Sequence, residues 1–158
     1  MLPGMKNTRR AFLKISTAAV AGSHGLLAHA AEPTRKLRIA GIGIAGMGRS
    51  NLTNMAGEDI VALCDVDHAF AAPVFARFPA ARRWKDFREM LASQDDIEAV
   101  MIATPDHTHA VIAMAALKAG KHVYCQKPLT HDIWQARQLA TAAAAATGKV
   151  ADCSRIGG

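Results

Sequence analysis

Three groups of residues in this 158-residue chain have the type and spacing to do chemistry. The first is Leu37-Arg-Ile-Ala-Gly-Ile-Gly-Ile-Ala-Gly-Met-Gly48, an apolar run that breaks into closely spaced glycines. Glycine there lets backbone N–H groups approach a phosphate that a Cβ would hold away. Two registers fit: Gly41, Gly43 and Gly46 spell G-x-G-x-x-G, and Gly43, Ala45 and Gly48 give the same spacing with alanine in the middle. We prefer the second, which keeps Arg38 to Ile42 as a full strand and puts the tight turn at Gly43. Its cost is the Ala45 methyl group, placed where a pyrophosphate comes closest. An ordinary strand-to-helix turn explains the glycines alone equally well. Asp65 shifts the balance, because it lies 22 residues after Gly43 and closes the apolar run Ile60 to Cys64. A carboxylate at that spacing accepts from a ribose hydroxyl, so the pair reads as a dinucleotide site.

The second group is Thr104-Pro-Asp-His-Thr-His109, and the third is Gln126-Lys-Pro-Leu-Thr130. Each follows an apolar, strand-like run, Ala99 to Ala103 and His122 to Cys125. Lys127 at a strand's carboxyl end stands where open α/β sheets bind ligands, although a solvated lysine before a proline is the plainer alternative. His107, His109, His122 and Cys125 have zinc-ligand chemistry. His107 and His109 are two residues apart and do not share a helix face, and His122 with Cys125 spans a strand whose alternate residues point apart. No metal site is therefore expected. His131 and Asp132, after a candidate N-cap at Thr130, read as first-turn helix residues.

The elements that must position these groups alternate. Strand-like runs at Leu37 to Ile42, Ile60 to Cys64, Ala99 to Ala103 and His122 to Cys125, with a weaker one at Arg82 to Trp84, are separated by helix-like runs. The helical runs are Asp67 to Phe78, Asp86 to Ala92, His107 to Ala119 and His131 to Thr147, with a further helix opening near Met47. Pro73 confines the first of these to short pieces, and Gly148 is a stop for the last. Alternation of this kind predicts an α/β fold with a doubly wound parallel sheet and right-handed crossovers. In such a sheet Cys64 and Cys125 end strands on opposite sides of the first one, so no disulfide between them is expected.

The opening residues belong to none of this. Thr8-Arg-Arg-Ala-Phe-Leu-Lys14 carries twin arginines, followed by the mildly apolar Ile15 to Ala30 with Ala28-His-Ala30 at its end. This resembles a twin-arginine export signal cleaved after Ala30, and implies a periplasmic or exported protein. Lys14, Ser16, Thr17, Ser23 and His24 break the run short of a membrane span. The segment also distorts the charge, since Lys6, Arg9, Arg10 and Lys14 are four of the nineteen basic residues, against thirteen acids that all lie further on. The remainder is close to neutral, and Arg77, Arg82, Arg83, Lys85 and Arg88 read as a solvated face, so no nucleic-acid partner is expected.

Taken together, the glycine turn, Cys64-Asp-Val-Asp67, Thr104-Pro-Asp-His-Thr-His109, Ala119-Gly-Lys-His-Val-Tyr-Cys125 and Gln126-Lys-Pro-Leu-Thr130 resemble, in order, the N-terminal nucleotide-binding domain of the Gfo/Idh/MocA oxidoreductases. The resemblance runs from about Leu37 to Lys149 and implies a Rossmann-like domain over 37–150, after a signal at 1–30 and a linker at 31–36. It implies that Gly43, Ala45, Gly46, Met47 and Gly48 hold the pyrophosphate and Asp65 the adenosine ribose. Thr104, Pro105 and His109 would line the nicotinamide side, with Gln126 and Lys127 beside them. A carboxylate at position 65 favours NAD over NADP; Arg82 or Arg83 leaves NADP open by offering charge to a 2′-phosphate. Lys127 is the implied catalytic residue, its charge helping a sugar or polyol hydroxyl to lose its proton while hydride leaves the same carbon. Gln126 stands where the family has glutamate, and a neutral amide cannot pair ionically with Lys127.

The resemblance also implies a C-terminal α/β domain carrying the substrate wall and an acid–base pair, and the tail 151–158 does not look like the family's next strand and loop. The expectation is a truncated or frameshifted gene, or a separate chain that completes the site. The dinucleotide-binding domain alone would then be a remnant without turnover, with an uncovered apolar face that favours self-association into a homo-oligomer. The export reading has a direct test: replacing Arg9 and Arg10 by lysine leaves the precursor uncleaved in the cytoplasm, and unchanged secretion rejects the twin-arginine route.

Overall fold

The computed structural model describes residues 35–146 and 150–152. The twin-arginine segment, residues 31–34 of the linker, Gly148 and Cys153 lie outside the described residues. Six strands, β1 (Arg38–Ile42), β2 (Asp59–Cys64), β3 (Arg82–Trp84), β4 (Ala99–Ile102), β5 (His122–Cys125) and β6 (Val150–Asp152), form one sheet in the order β3-β2-β1-β4-β5-β6. Every pairing is parallel.

The period-2 alternation of the central strands sorts side chains into two cores. Ala40, Ile42, Ala62, Cys64, Val100 and Ile102 point to one face and pack with Met90, Ile112, Ala113, Leu117 and Leu139. Those last residues lie on α3 (Phe87–Ser93), α4 (Asp106–Lys118) and α5 (Ile133–Ala145). Ile39, Leu63, Ala99 and Met101 point the other way and pack with Leu52, Val74 and Phe75, carried by α1 (Met47–Asn54) and α2 (Ala72–Arg77). Helices therefore cover both faces, as strands that are apolar on both sides require. The chain leaves β1 towards one face and β4 towards the other, so the winding reverses between these two neighbours.

Four local expectations are corrected. The run from Asp67 is helical only over Ala72–Arg77; the Asp67 carboxylate accepts from the Ala69 and Phe70 N–H groups at 3.1 and 2.9 Å, which makes a turn there instead. Pro73, lacking an N–H, then sits in the first turn of the helix. The last helix is capped by Asp132, not Thr130: its carboxylate accepts from the Gln135 N–H at 2.8 Å, and the Gln135 side chain returns to the His131 N–H at 3.0 Å. That helix ends at Ala145, before the expected Thr147. Finally, a strand does follow: Val150–Asp152 pairs with Val123–Cys125, although the sequence there showed no strand pattern. Three residues are too few for alternation to register, and a neighbouring strand edge supplies what propensity does not.

Ile102 is fully buried in the larger core. Ile102→Ala is expected to cost about 2–5 kcal/mol of stability, read as a lower urea midpoint; a cost under about 1 kcal/mol contradicts this packing.

Candidate active site

Residues just past the strand ends are tied sideways to their neighbours. The Gly43 N–H donates to the Cys64 carbonyl at 2.9 Å, Asp65 N–H to Trp84 at 3.1 Å, Ala103 N–H to Ile42 at 2.9 Å and Gln126 N–H to Ile102 at 2.9 Å. One edge of the sheet thus presents four loops in fixed relation. At the reversal between β1 and β4, residues leaving β1, β2, β3 and β4 line a cleft of about 640 Å³, the place where open α/β sheets take ligands. Gly43, Ala45, Gly46, Met47, Asp65, Thr104 and Pro105 all line it.

The glycine turn is tight for a reason visible in its backbone. Gly43 has φ +73°, and a Cβ on it would stand 2.8 Å from the Ala103 carbonyl carbon and the Thr104 nitrogen. A Cβ on Gly48 would run into the Gly43 carbonyl oxygen. Only hydrogen fits at either position, so the turn follows the Gly43, Ala45, Gly48 register, with Gly41 inside β1. Gly46, at φ +51°, precedes α1, and no side chain caps that helix. The Gly48 N–H donates back to the Ala45 carbonyl at 2.9 Å, so what α1 offers an anion in the cleft is its Met47 end and the positive end of its dipole.

Asp65 joins this turn to β2. One carboxylate oxygen accepts from the Ile44 and Ala45 N–H groups at 2.9 and 3.3 Å, and the other from the Asp67 N–H at 3.1 Å. A carboxylate has about four acceptor positions, so one remains for a hydroxyl. Next to it, burial together with the negative charges of Asp65 and Asp86 pushes the Cys64 thiol up to about 12. Cys64 is thus a protonated wall residue and no nucleophile. Neither Cys64 nor Cys125 is in a disulfide, and β1 and β4 lie between their strands.

Other expected residues fall elsewhere. His109 does not line the cleft: it is 1% exposed, held inside by α4 packing on the sheet. Its Nδ1 lies 2.7 Å from the Pro128 carbonyl oxygen and its Nε2 2.7 Å from that of Thr104. Gln126 and Lys127 leave β5, one strand further along the same edge and outside the cleft lining. Arg82 and Arg83 do not enter the cleft either, because their guanidinium groups stack on Trp84 and Phe75 at 4.7 and 5.0 Å. The basic side chain that lines it is Lys85, directly after β3.

Sequence reasoning also missed Val66, Phe70, Phe87 and Thr108 in the lining. Val66 and Phe70 are exposed by 84% and 67%, and with Met47 they give the cleft an apolar lip suited to a planar ring. The available signal was position: Val66 and Lys85 each lie within two residues of a strand's end. Among the described residues no group of three or more His, Cys, Asp or Glu side chains gathers as for a metal ion.

A parallel sheet wound on both faces, with an uncapped glycine-turn helix at its reversal and a carboxylate on the next strand, defines a Rossmann-type dinucleotide-binding domain. The sequence profile of the Gfo/Idh/MocA oxidoreductase family, described by its NAD-binding Rossmann fold, matches residues 36–151, and the chain belongs to that family. It is 33% identical over 99 residues to an inositol 2-dehydrogenase of Salmonella typhimurium, covering 61% of this chain and 29% of that protein. A 4-carboxy-2-hydroxymuconate-6-semialdehyde dehydrogenase of Sphingobium is 38% identical over 101 residues, covering 62% and 31%. Among solved structures, GenD2 from gentamicin A biosynthesis, in complex with NAD, superposes with a TM-score of 0.71 at 30% identity, covering 77% of this chain and 35% of that one. The chain spans about a third of the length of these relatives.

The burial of Cys64 has a chemical consequence. With Cys153 replaced by serine, the native chain is expected to resist a disulfide thiol reagent at neutral pH and to react at Cys64 and Cys125 only after urea unfolding. Rapid labelling of the native chain contradicts the geometry of the cleft wall.

Proposed function

We propose that this domain holds NAD for hydride transfer to or from a sugar or polyol, in a protein exported by the twin-arginine route. The observation that carries the reading is the turn at the reversal of the sheet, where neither Gly43 nor Gly48 has room for a Cβ and the Ile44 and Ala45 N–H groups hold the Asp65 carboxylate against the turn. The residues fit the cofactor: Gly43, Ala45, Gly46 and Met47 would accept the pyrophosphate at the start of α1, and Asp65 a ribose hydroxyl. Thr104 and Pro105, across the turn, would bound the nicotinamide half. NAD, when bound, supplies the hydride acceptor.

Lys127 is proposed as the catalytic residue. Its ammonium carries three donors, and placed against a substrate hydroxyl it would stabilise the negative charge that develops on oxygen as the proton leaves. Gln126 offers an uncharged amide beside it, which can orient a hydroxyl without neutralising the lysine. The sugar or polyol class is supported by the inositol dehydrogenases among the relatives. The negative charge of Asp65 opposes a 2′-phosphate and supports NAD over NADP.

Calorimetry of the chain with NAD and with NADP, followed by reduction assays with a panel of sugars and polyols, tests the reading. Binding of NAD with reduction supports it in full; binding without reduction identifies a binding module; binding of neither rejects it. Asp65→Ala is expected to shift the NAD-to-NADP affinity ratio about tenfold towards NADP, and equal losses for both remove Asp65 as the selector.

A further inference from the structure

We propose that His109 is a positioning residue, a buried strut that couples the Thr104 wall of the cleft to the Lys127 loop. The proposal rests on the dinucleotide reading of the cleft. His109 lies one turn inside α4, yet its ring reaches two loops that leave different strands. Nε2 meets the Thr104 carbonyl and Nδ1 the Pro128 carbonyl, each at 2.7 Å. Thr104 follows β4 and lines the cleft; Pro128 follows β5 and is the residue after Lys127.

Both partners are carbonyl oxygens, which only accept, so every proton the ring carries is spent inside the strut. With each nitrogen against a carbonyl oxygen and the ring 1% exposed, neither ring nitrogen is open to a cofactor or substrate. It acts on the site only by holding the two carbonyls at a fixed separation. Its own helix is anchored to the first loop a second time, since the Thr108 hydroxyl lies 2.8 Å from that of Thr104 and 2.7 Å from the Pro105 carbonyl. The β5 exit is joined to β4 by the Gln126 N–H bond to Ile102 and to α4 by the His109 ring.

The two halves of the cofactor separate this from general stability. Asp65 and the glycine turn lie on the β2 side and Thr104 on the β4 side, so loss of the strut is expected to disturb the nicotinamide half and spare the adenosine half. His109→Phe fills the space without a donor, and His109→Gln restores one amide donor. In the full chain, His109→Phe is expected to weaken NADH about tenfold, and His109→Gln less, with ADP affinity within about twofold of the unmutated chain in both. Amide hydrogen exchange should accelerate at Thr104 and Leu129 together while β1 and β2 stay protected. Equal loss of ADP and NADH, acceleration at one loop alone, or no change overturns the strut. Should neither variant fold, the unmutated chain decides: saturating NADH slows exchange at Leu129 along with Thr104 if the loops are coupled, and a response confined to Thr104 overturns it. If the unmutated chain binds neither ADP nor NADH, the dinucleotide reading fails, and the paired acceleration in the variants, or its absence, judges the strut by itself.

Discussion

The contact between Gly43 and Gly48 governs this structure. A strand that must hand its chain to a helix within a few residues can do so only if backbone meets backbone, and here neither partner has room for a Cβ. That contact sets where β1 stops and which way α1 points. The cleft is a consequence of it, because the same turn separates the connection leaving β1 from the one leaving β4.

Around this turn, polar groups do the aligning that apolar packing cannot. Two apolar cores hold six strands and five helices among the described residues together, but packing is indifferent to how strand-exit loops sit relative to one another. Asp65 ties the glycine turn to the end of β2 through backbone N–H groups, and His109 ties the exits of β4 and β5 through carbonyls. One side chain is a carboxylate that accepts; the other is an imidazole whose two ring nitrogens each lie against a carbonyl oxygen. The site edge is therefore stitched from both sides of β1 and β4.

The same geometry explains which cleft residues carry charge. Arg82 and Arg83 have aromatic rings within reach and stack there, leaving Lys85 as the cation at the cleft. Cys64, buried next to Asp65, keeps its proton. The lining is largely apolar apart from the carboxylate, the hydroxyls and the backbone donors, so polar recognition is concentrated at a few points.

Much of this was legible in the chain. The strands β1, β2, β4 and β5, the parallel doubly wound sheet, the glycine register and the place of Asp65 follow from apolar periodicity and from spacing, which are local properties. The short β6 was not, because its pairing partner and not its own residues makes it a strand. Nor was the cap at Asp132, decided by which side chain meets the Gln135 N–H. The fate of His109 is the clearest division. Its motif placed it near the site, but whether it faced the cleft or the interior depended on how α4 rolls on the sheet. Sequence spacing by itself determined which backbone turns and strands form; the tertiary structure alone decided which side chains face the cleft, because that depends on packing between elements distant in the chain.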